Sequence, residues 1–142
     1  MESPAQSTQG FLSGVIEGFY GPPWTRGERL ELLGWMKAGG LNSYIYGPKD
    51  DLHHRALWRT PYSPDAAAEL QALIQSCREH GVRFWYAMGP GLDIRFSSED
   101  DREALRQRIA QMGSLGCRDF CLLFDDIPAH QIGRAVRGSI RW

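Results

Sequence analysis

The sequence has few cysteines and no long hydrophobic run. Its three cysteines, Cys77, Cys117 and Cys121, show no Cys-x-x-Cys spacing, so a zinc site is not expected. No apolar run approaches the length of a transmembrane helix. Residues 1–10 lack the basic and apolar regions of a signal peptide, which favours a cytoplasmic or nuclear protein with reduced thiols.

The chain also lacks a strong net charge. Its formal charge of -1 over 142 residues offers no electrostatic argument for binding nucleic acid or a membrane surface. With 42% hydrophobic and 23% charged residues, the composition is typical of a folded domain and not of a disordered chain. The length suits one ordinary domain.

Apolar segments alternate with helical segments along the chain. Helix starts are predicted where a serine or threonine precedes an amphipathic segment, at Thr25, Ser63 and Ser98. The predicted strands cover residues 11–16, 41–46, 82–88 and 119–124. This alternation predicts an α/β fold with a parallel sheet and right-handed crossovers.

Two parallel architectures compete for this pattern. A dinucleotide-binding fold is disfavoured because Gly14, Gly18 and Gly21 do not form Gly-x-Gly-x-x-Gly, and no phosphate-binding P-loop motif is present. The better fit is a set of parallel (β/α) units corresponding to the first half of a TIM barrel, truncated after the fourth strand. In such barrels, the site forms at the carboxyl ends of the strands.

Two adjacent aspartates end the last apolar segment, which we expect to be a strand buried on both faces. Asp125 and Asp126 are either site carboxylates or the start of a loop, and the sequence weights the two interpretations about equally. Lys49 follows the second strand and is either an ion-paired loop lysine or a donor into a shared pocket. Tyr20, in the loop after the first strand, is a candidate for stacking on a sugar. The neighbouring His53 and His54 are expected to pack in a loop and not to bind metal.

Four ordered motifs resemble one known family, the protein O-linked N-acetylglucosaminidases of glycoside hydrolase family 84. The motifs are Gly-Val-Ile-Glu-Gly-Phe-Tyr-Gly at residues 14–21, Tyr-Gly-Pro-Lys-Asp-Asp at 46–51, Pro-Gly-Leu-Asp-Ile at 90–94 and Leu-Leu-Phe-Asp-Asp-Ile at 122–127. The resemblance covers roughly residues 11–128 and implies a retaining β-N-acetylglucosaminidase with no metal or cofactor. It also implies substrate-assisted catalysis, in which the acetamido oxygen of the sugar attacks the anomeric carbon.

The resemblance assigns roles to individual positions. Asp125 would bind the acetamido N–H and stabilise the intermediate, and Asp126 would act as general acid and base. Gly18 and Lys49 would bind sugar hydroxyls. Tyr20 is a further predicted substrate-binding residue, because it is an aromatic residue in the loop after the first strand. The substrates implied are O-GlcNAc-modified proteins or simple N-acetylglucosaminides.

Composition and the resemblance together predict how the chain divides. Residues 1–10 are expected to be a flexible arm, residues 11–128 the N-terminal half of a catalytic barrel, and residues 129–142 a divergent basic tail. The tail could form a short amphipathic helix. An incomplete, weakly active or inactive fragment is therefore expected. Two alternatives stay open: a non-catalytic half-barrel that associates with a complementary half or with its own copies, and a small nucleotide-binding α/β domain.

Overall fold

Strands and helices alternate strictly along residues 10–125, which are the residues that the computed structural model describes. The sheet has four strands in the order β1-β2-β3-β4, and every neighbouring pair is parallel. In chain order the elements are β1 (Gly14–Glu17), α1 (Arg26–Gly39), β2 (Ser43–Tyr46), a 3₁₀ helix (Leu52–His54), α2 (Pro64–Glu79), β3 (Arg83–Met88), a second 3₁₀ helix (Pro90–Leu92), α3 (Glu99–Ser114) and β4 (Asp119–Leu122). The predicted parallel α/β fold is confirmed.

The helices begin at the predicted caps. The Thr25 hydroxyl accepts a hydrogen bond from the Glu28 amide, while the Glu28 carboxylate accepts from the Thr25 amide at 2.7 Å. Ser63 and Ser98 cap α2 and α3 through their hydroxyls in the same way. Because these caps use amides that have no partner within the helix, a few local residues define where each helix starts.

One face of the sheet packs against the helices and forms the core. Tyr44 and Tyr86 lie on this face and are fully buried, as are Leu33 and Met36 of α1 and Met112 of α3. The register aligns Tyr44 with Phe84 and Tyr86 with Phe120, so aromatic side chains of successive strands form one continuous layer. Apolar burial in this layer is the main force that holds the helices on the sheet.

The opposite face of the sheet carries apolar side chains that the described helices do not cover. Ile16 is 61% exposed, and Ile45, Trp85 and Cys121 are only partly buried. The expectation that β4 is buried on both faces is wrong, since Leu122 is 51% exposed. The reason is position: within residues 10–125, β4 pairs only with β3, so its other edge has no neighbour there.

Several expectations fall beyond this part of the chain. The flexible arm concerns residues that are outside the described range except for Gly10, and the basic tail lies wholly outside it. Within residues 10–125, no helix is both long and apolar enough to cross a membrane.

Candidate active site

The carboxyl ends of the parallel strands bring together side chains that are far apart in sequence. Lys49 follows β2 and Asp125 follows β4, and the Lys49 Nζ donates a hydrogen bond of 2.6 Å to Asp125 Oδ2. Gly18 and Tyr20 follow β1 at the same end of the sheet. The structure thus collects Gly18, Tyr20, Lys49 and Asp125 at one rim, as expected for strands that all run in the same direction. Asp126 lies outside the described residues.

The ion pair at this rim is asymmetric in exposure. The Lys49 side chain is only 8% exposed, whereas that of Asp125 is 51% exposed. The hydrogen bond from Lys49 lowers the pKa of Asp125, and the positive charge of Arg55 acts in the same direction. Asp125 is therefore ionised at neutral pH and presents a carboxylate to solvent beside a buried ammonium group.

Tyr20 lies next to this ion pair. Lys49 Nζ is 6.0 Å from the centre of the Tyr20 ring, and Arg55 donates a hydrogen bond of 3.2 Å to the Tyr20 hydroxyl. Tyr20 is nonetheless 64% exposed, so much of its ring remains accessible. An accessible aromatic ring beside charged groups is a surface on which the apolar face of a sugar can stack.

Backbone hydrogen bonds hold the loop after β1 against the loop after β2. The Gly47 amide donates to the Glu17 carbonyl at 2.9 Å, and the Lys49 amide donates to the Phe19 carbonyl at 3.2 Å. Gly18 lies between these two contacts, where an added Cβ would be only 3.1 Å from Ile16 Cγ2. The backbone that carries Gly18 is therefore fixed relative to the backbone that carries Lys49.

Glu17 supports the loop that carries Gly18, a role that the sequence patterns do not predict because the expected strand ends at residue 16. Its side chain is fully buried and accepts hydrogen bonds from Arg29 at 2.8 and 2.9 Å and from the Trp24 amide at 2.9 Å. The Tyr44 hydroxyl also donates to it. A buried carboxylate requires such partners, so Glu17 ties the loop after β1 to α1. An acid at the end of an apolar strand is a signal that its carboxylate needs a partner, although the sequence does not show which residue supplies it.

His54 packs within the loop after β2, as the sequence suggested. It is fully buried, and its Nδ1 lies 2.6 Å from the Ala87 carbonyl oxygen. Because a carbonyl only accepts, Nδ1 carries the proton in this contact. Burial lowers the pKa of His54, which keeps the ring neutral. Among residues 10–125, no three His, Cys, Asp or Glu side chains are grouped as a metal site.

A parallel α/β sheet with charged residues at the carboxyl ends of its strands is the arrangement on which (β/α) barrels build their sites. The sequence profile described as "beta-N-acetylglucosaminidase" matches residues 13–139. The chain belongs to this family, and the resemblance inferred from the four motifs is confirmed.

Individual relatives support the same assignment. The chain is 48% identical over 117 residues to the Protein O-GlcNAcase of Rattus norvegicus, and equally to that of Mus musculus. Its fold is similar to a mutant of the Thermobaculum terrenum O-GlcNAc hydrolase, with a TM-score of 0.81 and 39% identity over 88% of the chain. The chain spans 13% of the length of each rodent relative and 28% of the bacterial chain.

Proposed function

We propose that this chain provides part of the active site of a β-N-acetylglucosaminidase that removes O-linked N-acetylglucosamine from serine and threonine of proteins. The observation that carries the proposal is the hydrogen bond of 2.6 Å between Lys49 and Asp125 at the carboxyl end of the sheet. The relatives named Protein O-GlcNAcase and O-GlcNAc hydrolase support the choice of substrate.

In this proposal, Asp125 works as a carboxylate. It accepts a hydrogen bond from the N–H of the sugar acetamido group and so directs the acetamido oxygen at the anomeric carbon. As that oxygen forms its bond, the bond to the serine or threonine oxygen breaks and positive charge develops on the acetamido group. An ionised Asp125, held so by Lys49, stabilises this charge.

Asp126 is proposed to move the protons. It gives a proton to the leaving serine or threonine oxygen. It then takes a proton from the water that attacks the anomeric carbon, as the bond from that carbon to the acetamido oxygen breaks and the acetamido group is restored. The two inversions at that carbon give net retention, and the sugar itself supplies the nucleophile. The general acid must hold a proton near neutral pH, and the negative charge of an adjacent Asp125 favours that state.

Lys49, Gly18 and Tyr20 are proposed to bind the sugar. The Lys49 ammonium has donors beyond the one given to Asp125, and these suit sugar hydroxyls. Gly18 lets the backbone approach the ligand without a side chain in between. Tyr20 offers its exposed ring for stacking.

A chimaera tests the proposal. Residues 11–128 would be joined to the complementary region of the bacterial O-GlcNAc hydrolase, and hydrolysis of a chromogenic β-N-acetylglucosaminide would be measured. We expect turnover that is lost in the Lys49→Met variant and kept in Lys37→Met, because Lys37 lies in the last turn of α1 and is exposed. The 142-residue chain alone should give activity near background. A folded chimaera without activity would contradict the proposal.

The uncovered face of the sheet favours a second candidate function, which is association with a complementary half-barrel. Ile16 is 61% exposed on this face, beside the partly buried Ile45 and Trp85. Mixing the chain with the separately produced complementary half of the bacterial hydrolase, followed by analytical ultracentrifugation, tests this candidate. The cytoplasmic or nuclear location expected from the sequence stays a prediction, which imaging of the tagged full chain would check.

A further inference from the structure

A buried polar cluster lies on the helix side of the sheet, next to the loop that carries Lys49. We call it the Asp51 cluster, and its members come from β2, β3, α3 and the connection between β2 and α2. They are Tyr46, Asp51, Tyr62, Tyr86 and Arg108.

Asp51 is the member closest to Lys49 in sequence, and it closes the loop after β2. Its Oδ2 accepts hydrogen bonds of 2.6 Å from the hydroxyls of both Tyr46 and Tyr62. Its Oδ1 accepts from the His53 amide at 3.0 Å, and its own amide donates to the Pro48 carbonyl at 3.0 Å. Burial is the largest cause that raises the pKa of Tyr46 and of Tyr62, so both hydroxyls keep their protons and donate to the carboxylate.

Arg108 reaches the same cluster from α3. It is 3% exposed, and one of its terminal nitrogens donates hydrogen bonds of 2.6 Å to the Tyr86 hydroxyl and to the His53 carbonyl. Its other terminal nitrogen donates to the Thr60 carbonyl. The guanidinium also lies 4.6 Å from the centre of the Tyr62 ring, over its face.

The tyrosines connect the two charges of the cluster. The Tyr62 hydroxyl lies 3.1 Å from that of Tyr86, so a chain of hydrogen bonds runs from Arg108 through Tyr86 and Tyr62 to Asp51. Arg108 also holds both ends of the segment that follows Asp51, through the carbonyls of His53 and Thr60. In a buried network the hydrogen bonds strengthen one another, so the loss of one member weakens the contacts of the others.

We propose that Arg108 is a positioning residue of the site, which acts through Tyr62 and Asp51 to fix the loop that directs Lys49 at Asp125. Its importance for catalysis rests on the proposed function. Its effect on the ion pair does not, because the hydrogen bond between Lys49 and Asp125 is a contact within the chain. The hydrogen bonds of Arg108 go to the Tyr86 hydroxyl and to the carbonyls of His53 and Thr60, so its influence on Lys49 passes through the cluster.

The test follows the Asp125 carboxyl by NMR in the isotope-labelled 142-residue chain. The pKa of Asp125 would be measured in the wild type and in Arg108→Met, Tyr62→Phe and Lys49→Met. Lys49→Met defines the value without the ion pair. We expect Arg108→Met and Tyr62→Phe to raise the pKa of Asp125 by a substantial part of the rise in Lys49→Met. Arg108→Lys, which keeps the positive charge, should raise the pKa of Asp125 less than Arg108→Met does.

Arg106→Met is the matched control. Arg106 lies on the same helix, but it forms ion pairs with Glu99 and Glu103, and its side chain is 61% exposed. It should leave the pKa of Asp125 unchanged. If Arg108→Met does not fold, Tyr62→Phe, which removes a single hydroxyl, decides the question.

If the pKa of Asp125 is the same as in the wild type in both folded variants, Tyr62→Phe and Arg108→Met, the inference is overturned. Kinetics of the chimaera then separate the inference from the proposed function. If the variants raise the pKa of Asp125 but the chimaera never hydrolyses the sugar, the result would support the positioning role and contradict the proposed function. If the variants raise the pKa of Asp125 and also lower the kcat/KM of the chimaera, the result would support both.

Discussion

Lys49 donates a hydrogen bond of 2.6 Å to Asp125, although 76 positions separate the two residues in sequence. Two α-helices, two 3₁₀ helices and the strands β3 and β4 lie between them, so the contact depends on the parallel order of β2, β3 and β4. The ammonium group is nearly buried and the carboxylate is half exposed. The pair thus leaves one negatively charged group accessible at the rim.

The stability that this ion pair contributes should depend on pH. The pKa of Asp125 is lowered in the folded chain, mainly by the hydrogen bond from Lys49. The contribution is therefore present above the pKa of the unfolded chain and is lost as the pH falls through the lower folded value. Because Asp125 is half exposed, we expect it to be less than about 1 kcal/mol. Urea unfolding of wild type and Lys49→Met at neutral and acidic pH measures this, and a difference that grows at acidic pH would contradict the assignment.

Glu17 should be far more important for stability than an exposed acid. Glu17→Gln leaves Arg29 and Tyr44 facing a group without charge, and breaking a buried pair in this way typically costs about 3–5 kcal/mol. The control is Glu31→Gln, since Glu31 is exposed on α1 and its loss should have little effect. Urea unfolding of both variants gives the comparison. Equal stability of the two variants would mean that Glu17 does not anchor the loop.

Asp125→Ala and Asp126→Ala should lower the turnover of the chimaera in different ways. Loss of Asp125 should lower turnover of every substrate about a hundredfold to a thousandfold, because the acetamido group is no longer directed or stabilised. Loss of Asp126 should be partly rescued by substrates with acidic leaving groups, which need little protonation. Steady-state kinetics across a series of leaving groups measures this. Equal losses in both variants with every leaving group would contradict the assigned roles.

The exposed face of the sheet gives a prediction about association. Ile16→Glu should change the free energy of unfolding of the chain by less than about 0.5 kcal/mol, because Ile16 is already largely exposed. The same change should abolish association with the complementary half of the bacterial hydrolase, since it would place a charge in the contact. Leu30→Glu is the control, as Leu30 is a partly exposed residue of α1. Undiminished association of the Ile16 variant in ultracentrifugation would exclude this face as the contact surface.

Local sequence was sufficient to predict the elements and their order. The caps at Thr25, Ser63 and Ser98 depend on hydrogen bonds within a few residues, so they are readable without the fold. Alternating strands and helices leave few topologies, and a parallel sheet brings the ends of all strands to one rim. The proximity of Lys49 and Asp125 follows from that rule, and the four motifs were enough to predict the family.

Only the tertiary structure revealed how the two loops at the rim are held. The pairing of Glu17 with Arg29 and the link from Arg108 to Asp51 join residues of different elements, and no periodicity or local motif predicts such partners. The exposure of β4 was also mispredicted, because an apolar run shows that a strand can be buried and not whether a neighbouring element covers it. Local chemistry in the sequence therefore determined the elements and the rim, while packing between distant elements decided which charges are buried and which face stays open.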